Sequence, residues 1–243
     1  MLAVGVIPAR YRSSRFPGKA LAPIAGRPLV QRVWEGAQSA KALREVIVAT
    51  DDERIADAAR EVGAPVVMTR ADHSTGTDRL AEVAMGLDDE IIVNIQGDEP
   101  LIEGFVIDAA VAALHEAPER SMATVVHAAD AGSIEDPNLV KAVLDRRGDA
   151  LYFSRSPIPA ARLESPPYWQ HVGLYAYRRP FLLEFVTWER TSAERAEGLE
   201  QLRALENGQR IRCAAIEGWQ SIPVDVPEDV ARVEARLAEL GRC

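Results

Sequence analysis

The stretch REVIVATDDERIADAAREVGAPVVM, residues 44–68, decides how the rest of the chain is read. REVIVAT (44–50) is a short run rich in Val and Ile, the pattern of a strand buried on both faces. Paired acids at Asp51 and Asp52 then open a helical segment that Gly63 closes, with Asp52 favoured as the helix cap. APVVM (64–68) returns to the strand pattern. Strands joined through a helix run parallel, so this unit predicts an α/β fold with ligands gathered at the C-terminal strand ends.

The same rhythm extends in both directions. AVGVIPA (3–9) and EIIVNI (90–95) read as buried strands. PLVQRVWEGAQSA (28–40) reads as a helix with Pro28 in its first turn, and DRLAEVAMGL (78–87) aligns Leu80, Val83, Ala84 and Leu87 along one helical face. The second half is more mixed. SMATVVHAA (121–129), NLVKAVLD (138–145), DALYFS (149–154) and HVGLYAYR (171–178) read as strands, with RRGD (146–149) as a hairpin turn. The proline-rich SRSPIPAARLESPPYW (154–169) resists regular structure. PEDVARVEARLAEL (227–240) reads as a last helix with Val230, Val233, Leu237 and Leu240 on one stripe. The expectation is one continuous Rossmann-like α/β domain over 1–243. Its central sheet is mostly parallel with helices on both faces, and a mixed-strand elaboration lies near 121–178.

Composition narrows the function. Hydrophobic residues make up 47% and charged residues 27% of the 243, enough for a full core. No apolar run approaches the roughly 18 residues of a membrane span. MLAVGVIPAR has no basic start, so it reads as a strand and not as a signal peptide. Cys213 and Cys243 are too isolated for a disulfide framework or a zinc site, which fits a reducing, cytoplasmic setting. A net charge of −9 argues against a nucleic-acid coat.

Against that acidity, IPARYRSSRFPGKAL (7–21) carries Arg10, Arg12, Arg15 and Lys19, and no Asp or Glu precedes Glu35. Cations directly after a first strand sit where an open sheet collects anions, and Arg forks with a Lys point charge suit several phosphate oxygens at once. A P-loop is excluded, because Ser13 stands where its first Gly belongs and Ala20 follows Lys19; no Gly-x-Gly-x-x-Gly occurs either. A solvated basic loop is the plainer alternative. In NIQGDEP (94–100), Gly97 permits a tight turn from which Asp98 emerges, placed either to hold Mg²⁺ against phosphates or to cap a helix starting near Glu103. Asp225 in IPVDVPED (222–229) reads, on residues alone, as a helix-start residue.

Taken together, I-P-A-R-x-x-S-x-R-x-P-G-K and Q-G-D-x-P resemble the signature segments of the sugar-activating cytidylyltransferases, and among them those acting on 3-deoxy-manno-octulosonate (Kdo). The likeness runs in order from about residue 3 to 240. It implies that the basic loop wraps the triphosphate of CTP through Pro8, Ala9, Arg10, Ser13, Arg15 and Lys19. It implies that Asp98 and Asp225 hold Mg²⁺, although Pro223 and Val226 depart from the family's usual Gly and Thr around the second carboxylate. RADHSTGTDRL (70–80), otherwise a plain polar loop, would read the cytosine with Ser74, Gly76 and Arg79. Arg155, His171 and Tyr175 on one strand face, and Glu200 with Gln201 on a helix side away from Leu199, Leu202 and Leu205, would join Gln96 in binding the sugar acid. The implied activity is transfer of CMP from CTP to Kdo by a nucleotidyltransferase of lipopolysaccharide biosynthesis, working as a homodimer with Lys19, Arg10, Asp98 and Asp225 catalytic. Another 2-keto sugar acid as acceptor, or a CTP-binding module without turnover, are the alternatives.

Overall fold

The computed structural model describes residues 3–13, 15–164 and 166–242, so Cys243 lies outside the described residues. The chain divides into two compact units, one formed by 1–108 with 221–243 and the other by 109–220. The elaboration expected near 121–178 falls within the second.

In the first unit, β1 (Ala3–Ala9) leads through a one-turn helix, Lys19–Leu21, to a small hairpin of β2 (Pro23–Ile24) and β3 (Arg27–Pro28). There follow α1 (Leu29–Ala37), β4 (Leu43–Thr50), α2 (Glu53–Glu61), β5 (Val66–Met68), α3 (Gly76–Met85) and β6 (Ile91–Asn94), and the boundary between the units falls within α4 (Gly104–Glu116). The strands pair in parallel in the order β6-β1-β4-β5. The 44–68 unit is thus β4-α2-β5 as read, with Asp52 capping α2 by accepting the Arg54 N–H and Gly63 at φ +83° ending it. Pro28 is not in the first turn of α1: it sits one position earlier, where its extended φ and ψ also serve the hairpin. Val4, Val6, Ile7, Val48, Ile92 and Val93 are fully or almost fully buried, which is why these runs carry no polar alternation.

In the second unit, β7 (Met122–Ala128), β8 (Lys141–Leu144), β9 (Ala150–Ser154) and β10 (Trp169–Arg178) are followed by α5 (Arg179–Phe185), α6 (Ser192–Glu197), α7 (Gln201–Glu206) and β11 (Ile211–Ile216). β7 lies between β11, parallel to it, and β10, antiparallel to it; β8 and β9 extend antiparallel from β10. The RRGD turn is present, with Gly148 at φ +83°. The last helix, α8 (Asp229–Glu239), belongs to the first unit and buries Val233 and Leu237, while Leu240 of the expected stripe is exposed. β11 and the short helices α5 and α6 are not among the sequence expectations. No described helix is long and apolar enough to cross a membrane.

Candidate active site

Because β1, β4, β5 and β6 are parallel, their C-terminal ends lie on the same side of the first unit, and the segments that follow β1, β5 and β6 line, with Asp225, a cavity of about 240 Å³. β1 supplies Pro8 and Ala9, and the loop after it supplies Arg10, Ser13, Arg15 and Lys19. That loop is folded back on itself: the Gly18 N–H donates to the Tyr11 carbonyl at 2.9 Å, and Gly18 holds φ +73°. A Cβ at position 18 would stand 3.2 Å from the Tyr11 ring, so glycine answers both the backbone angle and the space. The Arg54 guanidinium lies 3.4 Å over the Tyr11 ring and donates to Asp52 at 2.9 and 2.6 Å, which ties the loop to the start of α2.

The next turn, after β6, brings Gln96, Gly97 and Asp98 to the same cavity. Gly97 is needed less for its own turn than for its neighbour, since a Cβ there would meet the Pro8 carbonyl oxygen at 3.0 Å. Asp98 does not cap a helix. Its Oδ2 accepts from Lys19 Nζ at 2.9 Å. Asp225 does not cap one either: α8 begins at Asp229 without a side-chain cap, and the Asp229 carboxylate instead accepts the Asp225 and Val226 N–H groups at 2.8 and 3.0 Å. The Asp225 carboxylate accepts from Arg15 at 2.9 and 3.2 Å and lies 3.5 Å from the same Lys19 Nζ. Residues 79 and 206 positions away therefore meet Lys19 at one point, and Pro223 and Val226 do not keep Asp225 from it. Lys19, expected on an open loop without acidic neighbours, is half-buried between two of them.

The rest of the cavity comes from the loop before α3. Thr75 caps that helix in a capping box with Asp78, Gly76 begins it, and Ser74 is exposed. Arg79 is buried; it donates to Thr69 Oγ1 and pairs with Asp51 at 2.8 Å. His73, which sequence reading passed over, also lines the cavity and bonds to Glu82. Its signal was its place in RADHSTGTDRL (70–80), directly before Ser74. Glu99 was missed too. It is buried, accepts from Ser221 and from the Ile222 N–H, and burial with the adjacent Asp98 charge pushes its carboxyl up to about 8.

The second unit holds the remaining expected residues. His171 and Tyr175 do share a face, with ring centroids 5.4 Å apart. Both are buried: His171 faces Thr124 Oγ1 at 2.9 Å and packs edge-on against Phe153, and burial pushes its imidazole down to about 3, so it is neutral. Arg155 donates to the backbone carbonyls of Glu197 and Pro137 at 2.9 and 3.0 Å. Glu200 is half-buried, but Gln201 does not lie away from the core. It is 3% exposed, and its Nε2 has no hydrogen-bond partner among the described residues.

The first unit therefore gathers a basic loop and two carboxylates in one cavity. The cytidylyltransferase family profile matches residues 4–211. A 3-deoxy-manno-octulosonate cytidylyltransferase of Solibacter usitatus is 55% identical, covering 95% of this chain and 92% of that one. Its counterpart in Syntrophotalea carbinolica is 51% identical over 99% and 100% of the two chains. Among solved structures, a CMP:2-keto-3-deoxy-manno-octonic acid synthetase complexed with CTP superposes with a TM-score of 0.93 at 43% identity, covering 99% of this chain and all of that one. With that likeness spread along the whole chain, the protein belongs to the 3-deoxy-manno-octulosonate cytidylyltransferase family.

Proposed function

We propose that this protein transfers CMP from CTP to the anomeric 2-hydroxyl of Kdo, releasing pyrophosphate. The observation that carries the reading is the meeting of Lys19, Asp98 and Asp225 beside Arg10 and Arg15 in one cavity at the ends of parallel strands. Arg10, Arg15 and Lys19 bind and orient the triphosphate, and their charge opposes the negative charge that builds on the phosphate oxygens as the hydroxyl attacks the α-phosphorus. Gly76 and Arg79, which line the cavity, and the exposed Ser74 next to them in sequence are assigned to the cytosine by family resemblance. Gln96 in the first unit, and Arg155, His171, Tyr175, Glu200 and Gln201 in the second, are assigned to the sugar acid by family resemblance.

The donor set suits Mg²⁺. Two carboxylates that already converge on one ammonium can converge on one metal cation, and both offer hard oxygens. Among the described residues no third acid or histidine joins them, which matches a cation that keeps water and phosphate oxygens as its other ligands. Bound there, Mg²⁺ would neutralise phosphate charge and lower the pKa of the attacking hydroxyl. A cytoplasmic homodimer serving lipopolysaccharide synthesis, with the whole chain working as one enzyme, completes the proposal.

The test is pyrophosphate release by the purified protein with CTP, Mg²⁺ and a panel of Kdo, amino-substituted Kdo and sialic acid. Release that requires CTP and Kdo together is expected. Release with sialic acid in preference to Kdo would move the acceptor, and no release with any sugar acid would leave a binding module.

A further inference from the structure

Glu99 follows Asp98 directly, yet its side chain has no part in the chemistry described above. It is 5% exposed, and its carboxyl is used up on another part of the chain, accepting from Ser221 Oγ and from the Ile222 N–H at 3.1 Å. The backbone beside it does the same: the Asp98 carbonyl accepts the Val224 N–H at 2.9 Å. Two consecutive residues of the turn after β6 thus hold Ser221, Ile222 and Val224, in a segment with no helix or strand of its own. The next residue along is Asp225, which carries its carboxylate to Arg15 and Lys19. A buried carboxyl is unfavourable unless its hydrogen bonds compensate, so an apolar residue would serve better if filling space were the only task. Together with the Asp98 carbonyl, the bonds it makes hold a segment that lacks the ladder of a helix or strand.

We infer that Glu99 is a positioning residue, which pins the 221–224 segment so that the Asp225 carboxylate stands beside Lys19 and Asp98. This rests on the reading above that Asp225 belongs to the reacting site. Loss of the pin displaces one member of that cluster, and a displacement of about 1 Å at a reacting centre costs roughly 10²-fold in rate.

The test is a double-mutant cycle with a structural readout beside it. Glu99→Ala should lower kcat by about 10²-fold. It should also raise amide hydrogen exchange at Ile222 and Val224 in the substrate-free protein, while the amides of β1 stay protected. Glu99→Gln, whose amide oxygen still accepts the Ile222 N–H, should recover most of both. In the Asp225→Asn background, removing Glu99 should cost little more, because the group it positions is already lost. Losses that add in the double variant, beside an impaired Asp225→Asn enzyme, overturn the positioning role alone. Unchanged exchange at Ile222 in Glu99→Ala overturns it as well. An Asp225→Asn enzyme with wild-type turnover overturns the site reading and the positioning role together. Should Glu99→Ala fail to fold, Ser221→Ala removes one bond of the pin: raised exchange at Ile222 with reduced kcat supports the inference, and no change in either contradicts it.

Discussion

Two clusters of aspartate and basic side chains can be set side by side. In the first unit, Lys19 stands between Asp98 and Asp225 with its side chain 19% exposed and the carboxylates 29% and 34% exposed. In the second, Asp149 is 3% exposed and accepts from Arg120 at 2.7 Å and from Arg212 at 2.8 Å. The parts are alike and the surroundings are not. Solvent-reached pairs contribute little to stability, so the open cluster can exchange partners when a ligand arrives. A sealed pair cannot, because removing one member strands a charge in a medium that does not solvate it. Burial by itself would raise the Asp149 carboxyl, but hydrogen bonds from Arg120 and Arg212 outweigh it and hold it below the usual carboxylate range. The contrast teaches that burial, more than composition, separates an open cluster from a sealed one here.

The sealed cluster is the place to break the molecule. Asp149→Ala removes the carboxylate shared by Arg120, Arg210 and Arg212 and should cost about 3–5 kcal/mol in urea unfolding. The protein that remains folded should turn over normally. The open cluster should answer in the opposite sense. Lys19→Ala is expected to lose about 10²–10³ in turnover at saturating CTP, with a melting temperature close to wild type. A Lys19→Ala enzyme that unfolds early and works well would reverse the assignment of the two clusters.

These expectations show what the amino-acid sequence made legible. β1 was read to its last residue, and β4, β5 and β6 to within a few, because runs such as AVGVIPA and EIIVNI are apolar on both faces and admit little else. β11 escaped because RIRCAAI is built of small and charged residues whose strand state depends on pairing with β7, not on local pattern. At the site, the basic loop and Asp98 stood out by position. The convergence on Lys19 did not, since partners 79 and 206 residues apart leave no local trace. Asp225 looked like a helix cap because α8 starts only one turn further on, at Asp229. Gln201 was misjudged for a related reason: a polar residue is read as solvated unless something shows that its neighbours close over it.

A pH titration sharpens the comparison further. His171 is neutral when folded, held down to about 3 by burial, whereas the unfolded imidazole binds its proton near 6.5. Between those values the unfolded chain holds the extra proton, so stability falls as pH falls from about 6.5. The slope should approach about 1.4 kcal/mol per pH unit. Urea midpoints at pH 6.5 and 5 should converge in His171→Asn; an unchanged slope would place the titrating group elsewhere. The smallest effect belongs to a simple cap: Asp52→Ala should cost about 0.5–2 kcal/mol by chemical denaturation.

The most direct measurement pairs thermal unfolding with a Mg²⁺ titration of turnover in Asp225→Asn. Asparagine keeps a side-chain oxygen and removes the charge, so it leaves local packing in place while weakening any hold on a metal cation. If the open cluster is the reacting site, this variant melts near the wild-type temperature and either needs far more Mg²⁺ or loses turnover. Full activity at limiting Mg²⁺, with a lowered melting temperature, would make Asp225 a structural residue and contradict the account.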